Sequence, residues 1–198
     1  RRCLVGSEMC IRDRFGHRPI VHLAEIGVLD DRCALTHMVR VNDAEVDILA
    51  ESGASVAHCP TTALKVAYGV TQVGKFPEMV QKGVNVSLGT DGNNASNYSD
   101  LMRASYLAAG IFKDAREDPQ MFPAEKAFEM ATIDGAKTLL MDQEIGSLEI
   151  GKKADLVLHD TDRPEWRPLL NVMNQLVWSA DGRGVHTCLL YTSDAADE

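Results

Sequence analysis

Val84-Asn85-Val86-Ser87-Leu88-Gly89-Thr90-Asp91-Gly92 is the stretch that decides the fold. Its first five residues carry no charge and are rich in Val and Leu, as a short buried strand is. Gly-Thr-Asp-Gly then ends the run with turn chemistry. A carboxylate, Asp91, is thereby delivered at the C-terminal mouth of a strand. Barrels and open α/β sheets collect their catalytic groups at that end. A lone Asp-Gly is more often only a turn, so the weight falls on what precedes it.

Two earlier segments have the same form. Cys33-Ala34-Leu35 reads as a short buried strand ending at Thr36-His37, and Ala54-Ser55-Val56-Ala57 as another ending at His58-Cys59-Pro60. Between them Asn42-Asp43-Ala44-Glu45 resembles a capping box. It predicts a helix through Glu51, with Val46, Leu49 and Ala50 inward and Gly53 as its stop. A loop after Pro60 and a helix over about Val73 to Lys82 lead into the Val84 strand. Upstream, Pro19 to Ile26 reads as a helix with Pro in its first turn. Downstream, helices are expected over Asp100 to about Lys113, from Pro123, and over Asp134 to Met141. Short strands alternating with helices imply parallel β/α units. His37, His58 and Asp91 then project from one rim, and three ionisable groups there fit a metal or an acid–base site.

From Ile145 the character changes. Ile145 to Asp160 reads as β-structure with a Gly turn, and Asn171 to Ser179 is open between helix and strand. The two ends read as foreign. Back-translated, Met9 to Arg14 has a reverse complement that encodes Cys188 to Thr192. Unrelated protein segments do not encode each other's opposite strand, so residues 1–14 and 188–198 are read as translated sequencing adapter and set aside.

The charge balance is acidic, with 20 Lys+Arg against 29 Asp+Glu and a net charge of −9. That argues against nucleic acid and anionic membranes as partners, both of which select basic patches. Of five cysteines, only Cys33 and Cys59 lie outside the terminal segments. Two cysteines make no disulfide framework and suit a reducing cytoplasm. No apolar run reaches the roughly 18 residues of a membrane span.

These stretches resemble the amidohydrolase superfamily, in the branch of methylthioadenosine/S-adenosylhomocysteine deaminases and triazine chlorohydrolases. The resemblance rests on Leu35-Thr36-His37-Met38, on Ser55 to Pro60, on Leu88 to Gly92 with Ala95-Ser96-Asn97, and on Ile145 to Asp160, in family order. It implies an α/β fold: the C-terminal part of a (β/α)8 TIM barrel, about strands 6–8, over residues 15–144. Residues 145–187 would be part of a small composite β-sandwich. It implies a hydrolase that deaminates an amino-substituted N-heterocycle, such as an adenine nucleoside, using water activated by one divalent metal ion. Zinc is expected first, with iron or manganese as alternatives. Asp91 would be a metal ligand that also handles the proton of the water. His37 would contact the nucleophile, and His58, Asn94 and Asn97 would contact substrate. The small-molecule heterocycle is the expected partner, with homo-oligomerisation possible for the parent.

The sequence also departs from the family pattern. It contains no His-x-His pair, and no strand-end His with its Glu precedes His37. His22-Leu23-Ala24-Glu25 imitates that motif but falls inside the Pro19 helix, so it reads as a decoy. Thr62-Ala63 stands where the family has Ser-Asn. The chain by itself is therefore expected to be inactive. The alternatives are a triazine-type dechlorinating hydrolase or a non-catalytic amidohydrolase-like scaffold.

Overall fold

The computed structural model describes residues 16–190. Most of the two segments read as adapter lies outside these residues. The exception is Cys188 to Leu190, of which Cys188 and Leu189 extend the last strand.

Three short strands form a parallel sheet in the order β1 (Ala34–Thr36), β2 (Ser55–His58), β3 (Val86–Leu88). Leu35 lies beside Val56 and His58 beside Leu88. All three strands are therefore in step, and their C-terminal ends form one edge. The connections are helical, as parallel strands require. Helix α1 (Pro19–Glu25) precedes β1, and α2 (Asp43–Ser52) links β1 to β2. The predicted capping box is present. Asn42 Oδ1 accepts from Glu45 N at 2.9 Å, and Glu45 Oε2 accepts from Asn42 N at 3.0 Å. Gly53 closes α2 with φ 74°, the left-handed conformation that glycine adopts without strain.

The β2–β3 connection differs from the expectation. The residues read as a loop after His58 start α3 (Pro60–Lys65), with Pro60 opening the helix. The single helix expected over Val73 to Lys82 is two pieces, α4 (Val70–Val73) and α5 (Phe76–Gln81). The break is at Gly74, where a Cβ would lie 2.4 Å from the Val70 carbonyl oxygen, and where the Gly74 oxygen accepts from Arg116 Nη2 at 2.9 Å.

After β3 come a short α6 (Asn93–Ser96), the long α7 (Leu101–Arg116), α8 (Ala124–Ala131) and α9 (Ile133–Thr138). Val56, Leu49, Phe76, Met79, Val86 and Phe112 belong to one buried cluster, so the sheet's apolar face is covered by helices. A polar network ties the sheet to α9. Asn85 Nδ2 donates to Ser55 Oγ (3.1 Å) and Thr138 Oγ1 (3.0 Å), and Thr138 Oγ1 lies 2.9 Å from Ser87 Oγ.

The C-terminal region is less β-rich than expected. Residues 145–155 form bends, one turn and irregular backbone, and among the described residues of this region the strands are β4 (Leu156–His159) and β5 (Val185–Leu189), which pair antiparallel. The reason is local: Lys153 N bonds back to Glu144 O at 2.8 Å, which closes the segment on itself. The ambiguous 171–179 stretch is helical, α10 (Val172–Trp178), with Asn171 as its cap. Val177 of α10 packs with Ala109, Ala124 and Ala127, which joins this region to α7 and α8. Among the described residues, no helix is long and apolar enough to cross a membrane.

Candidate active site

The strand register carries the ladder past the ends of the strands. His37 N donates to Ala57 O at 3.0 Å, and Gly89 N donates to His58 O at 2.9 Å. Beyond these bonds the chain turns sharply. His37 (φ 75°), Met38 (φ 41°) and Asp91 (φ 61°) all occupy the left-handed region. Non-glycine residues adopt it rarely, and such strain concentrates at functional sites. The turns aim His37 and Asp91 at each other. His37 Nε2 lies 3.6 Å from Asp91 Oδ2, with the two side chains 17% and 25% exposed. Oδ1 of Asp91 is taken by the Gly92 N–H at 2.6 Å, so Oδ2 is the oxygen presented to the imidazole.

At 3.6 Å the pair is an electrostatic contact rather than a tight hydrogen bond. His37 Nδ1 is buried and has no hydrogen-bond partner among the described residues. A carboxylate and an imidazole in reach of one another, part exposed at a strand mouth, can pass a proton to and from a bound water. Tyr68 stands with its ring edge-on to His37, centroids 5.9 Å apart, and supports its orientation.

His58 is placed differently from the other two strand-end residues. It is 0% exposed, and its ring stacks on Phe76 at 3.8 Å, with Phe112 at 6.1 Å. The cause is parity. Residues two apart on a strand share a face, and Val56 faces the helices, so His58 does too. Burial, with a smaller contribution from the nearby His37 charge, pushes its pKa down to about 3. His58 is thus a neutral core residue that solvent does not reach. Its neighbour Cys59 is also buried, and burial, followed by the Asp91 charge, raises its thiol to about 11. A thiol held protonated in this way is a poor nucleophile.

Asn94 and Asn97 lie exposed on the α6 loop. The Asn97 amide is engaged within the protein. Its Nδ2 donates to Asn93 O at 3.0 Å, and its oxygen accepts from Lys65 Nζ. The His22–Glu25 imitation lies on α1, as read from sequence, and Glu25 pairs with His17 at 3.4 Å. Sequence reasoning missed Tyr68 and Lys65. Nothing local marks either, since Lys65 at the end of α3 and Tyr68 just after it reach the site only through contacts with distant residues.

Among the described residues, no three His, Cys, Asp or Glu side chains converge as a metal ion requires. The His37–Asp91 pair alone supplies two donors at most.

A sequence model described as the amidohydrolase family matches residues 10–188. A 5-methylthioadenosine/S-adenosylhomocysteine deaminase from Thermoanaerobacter pseudethanolicus is 40% identical over 177 residues, covering 89% of this chain and 40% of that protein. An adenosine deaminase from Xanthomonas campestris, solved with bound zinc, superposes with a TM-score of 0.86 at 33% identity, over 93% of this chain and 42% of that one. Atrazine chlorohydrolase from Arthrobacter aurescens, complexed with zinc, shares the fold at a TM-score of 0.85 and 22% identity, over 92% of this chain and 40% of that one. The chain thus spans about 40% of the length of the curated relative it matches. The family model covers most of the chain, and the chain belongs to the amidohydrolase family.

Proposed function

We propose that this chain is the C-terminal part of a hydrolase that deaminates an adenine nucleoside-like substrate, with β1, β2 and β3 as about the sixth to eighth strands of its barrel. The observation that carries the reading is the His37–Asp91 pair at the C-terminal rim of a parallel sheet. Its two members face each other from separate strands, as a proton-handling pair requires. In this reaction the oxygen of water adds to the ring carbon that bears the amino group. Asp91 Oδ2 takes a proton from that water, and His37 Nε2 orients it. The proton passes to the amino nitrogen, the C–N bond breaks and ammonia leaves; the remaining proton of the added hydroxyl moves to the adjacent ring nitrogen, which leaves a ring carbonyl.

Among the described residues, the donors present do not make a metal site by themselves. The reading includes a divalent metal, zinc first, because the 33%-identical structure is described with zinc. Asp91 is the ligand this chain would contribute, and the other ligands would lie on residues beyond it. The chain alone is accordingly read as inactive.

The substrate choice follows the degree of likeness. The deaminase of methylthioadenosine and S-adenosylhomocysteine is 40% identical, whereas the triazine enzyme at 22% speaks for the fold alone. A scaffold role fits less well, because a scaffold has no need of a strained His37–Asp91 contact. The test is ammonia release from adenosine, methylthioadenosine and S-adenosylhomocysteine by the full-length protein. Asp91→Asn should lower kcat by at least about 100-fold, the scale of a lost general base. Undiminished activity in that variant would sink the assignment.

A further inference from the structure

The loop that follows Asp91 is anchored from outside itself. Within the loop, Gly92 N is tied to Asp91 Oδ1, Ser96 Oγ donates to Tyr98 O at 2.9 Å, and Asn97 ends α6 in the left-handed region at φ 57°. From α3, Lys65 Nζ reaches across to the Ala95 carbonyl at 2.7 Å and to Asn97 Oδ1. On the far side, Asp100 Oδ2 accepts from Gly182 N at 3.1 Å. Asp91 and Asn97 both sit in conformations that persist only where the surroundings impose them. An ammonium that donates two charge-assisted hydrogen bonds to one short loop is such an imposition. α3 springs directly from the end of β2, so the clamp ties the Asp91 loop to the neighbouring strand.

We propose that Lys65 is a positioning residue: it fixes the 91–97 loop and thereby the direction in which Asp91 Oδ2 faces His37. Its catalytic consequence rests on the deaminase reading, but its mechanical consequence does not. Lys65 is exposed, so its replacement leaves the core intact. In this chain, Lys65→Met should speed amide exchange at residues 92–98 by about tenfold, the equivalent of one lost charge-assisted hydrogen bond. Exchange in β2 and β3 should stay as it was, and Lys65→Arg should restore most of the protection. In the full-length protein, Lys65→Met should lower kcat by about tenfold while KM for methylthioadenosine moves by less than about twofold. Lys65→Arg should recover kcat.

Unchanged exchange at 92–98 overturns the clamp. A rise in KM with kcat intact overturns the positioning role. If the wild-type full-length protein releases no ammonia from any adenine nucleoside, the deaminase reading fails, and amide exchange still decides the clamp.

Discussion

Acid should weaken this fold through His58 at pH values where carboxylates are still ionised. The His58 ring is wholly buried against Phe76, and neither ring nitrogen has a partner among the described residues. Its pKa in the folded chain is held down to about 3, whereas the unfolded chain returns it to roughly 6.5. Between those values the unfolded state binds a proton that the folded state refuses. Stability is therefore complete above about pH 6.5 and declines as the pH falls towards 3. Each pH unit in that window costs about 1.4 kcal/mol, so a fall from pH 6.5 to pH 5 costs about 2 kcal/mol. Against a total of about 5–15 kcal/mol this is a large fraction.

The assay is urea unfolding followed by circular dichroism at several pH values between 7 and 5. His58→Phe keeps an aromatic ring on Phe76 and removes the titration. Burial lowers the His159 pKa as well, so the difference between the two proteins is what isolates His58. Wild type should lose about 2 kcal/mol more than His58→Phe over this range. Parallel stability–pH curves would refute the reasoning.

Other expectations follow from single contacts. Gly74→Ala should destabilise the chain by about 2 kcal/mol in urea titrations, because its Cβ would meet a backbone oxygen that cannot move aside. Glu45→Ala removes both the cap on Asn42 N and the 2.7 Å contact from Arg18 Nε, and should cost about 2–4 kcal/mol by thermal or urea unfolding. Codons for residues 1–14 should match adapter DNA rather than the parent gene when the genomic locus is sequenced, and a continuous genomic match would refute that reading.

Much of the local structure was legible. The α2 capping box, the Gly53 stop, the start of α7 at Asp100 and the Pro-opened α1 are all set within about four residues. Gly74 was less legible, since the helix there is interrupted by what α7 places against it. The fold of 145–155 was less legible, because the Lys153 N to Glu144 O bond that closes the segment is announced by no single residue in it.

The candidate site divides along the same line. The sequence determined which residues end the three strands and that parallel strands bring those ends to one rim, because the strand–turn–helix punctuation is local. Standing at the end of a strand does not by itself say which face a side chain takes. His58 follows the parity of Val56 into the aromatic core, a signal present in the sequence and read only once Val56 was seen to face the helices. His37 and Asp91 escape that parity because both leave their strands through left-handed turns. Those turns hold only because neighbouring strands, Tyr68 and the Lys65-clamped loop surround them. Only the tertiary structure could therefore separate the residue that became core from the two that face each other at the strand mouth.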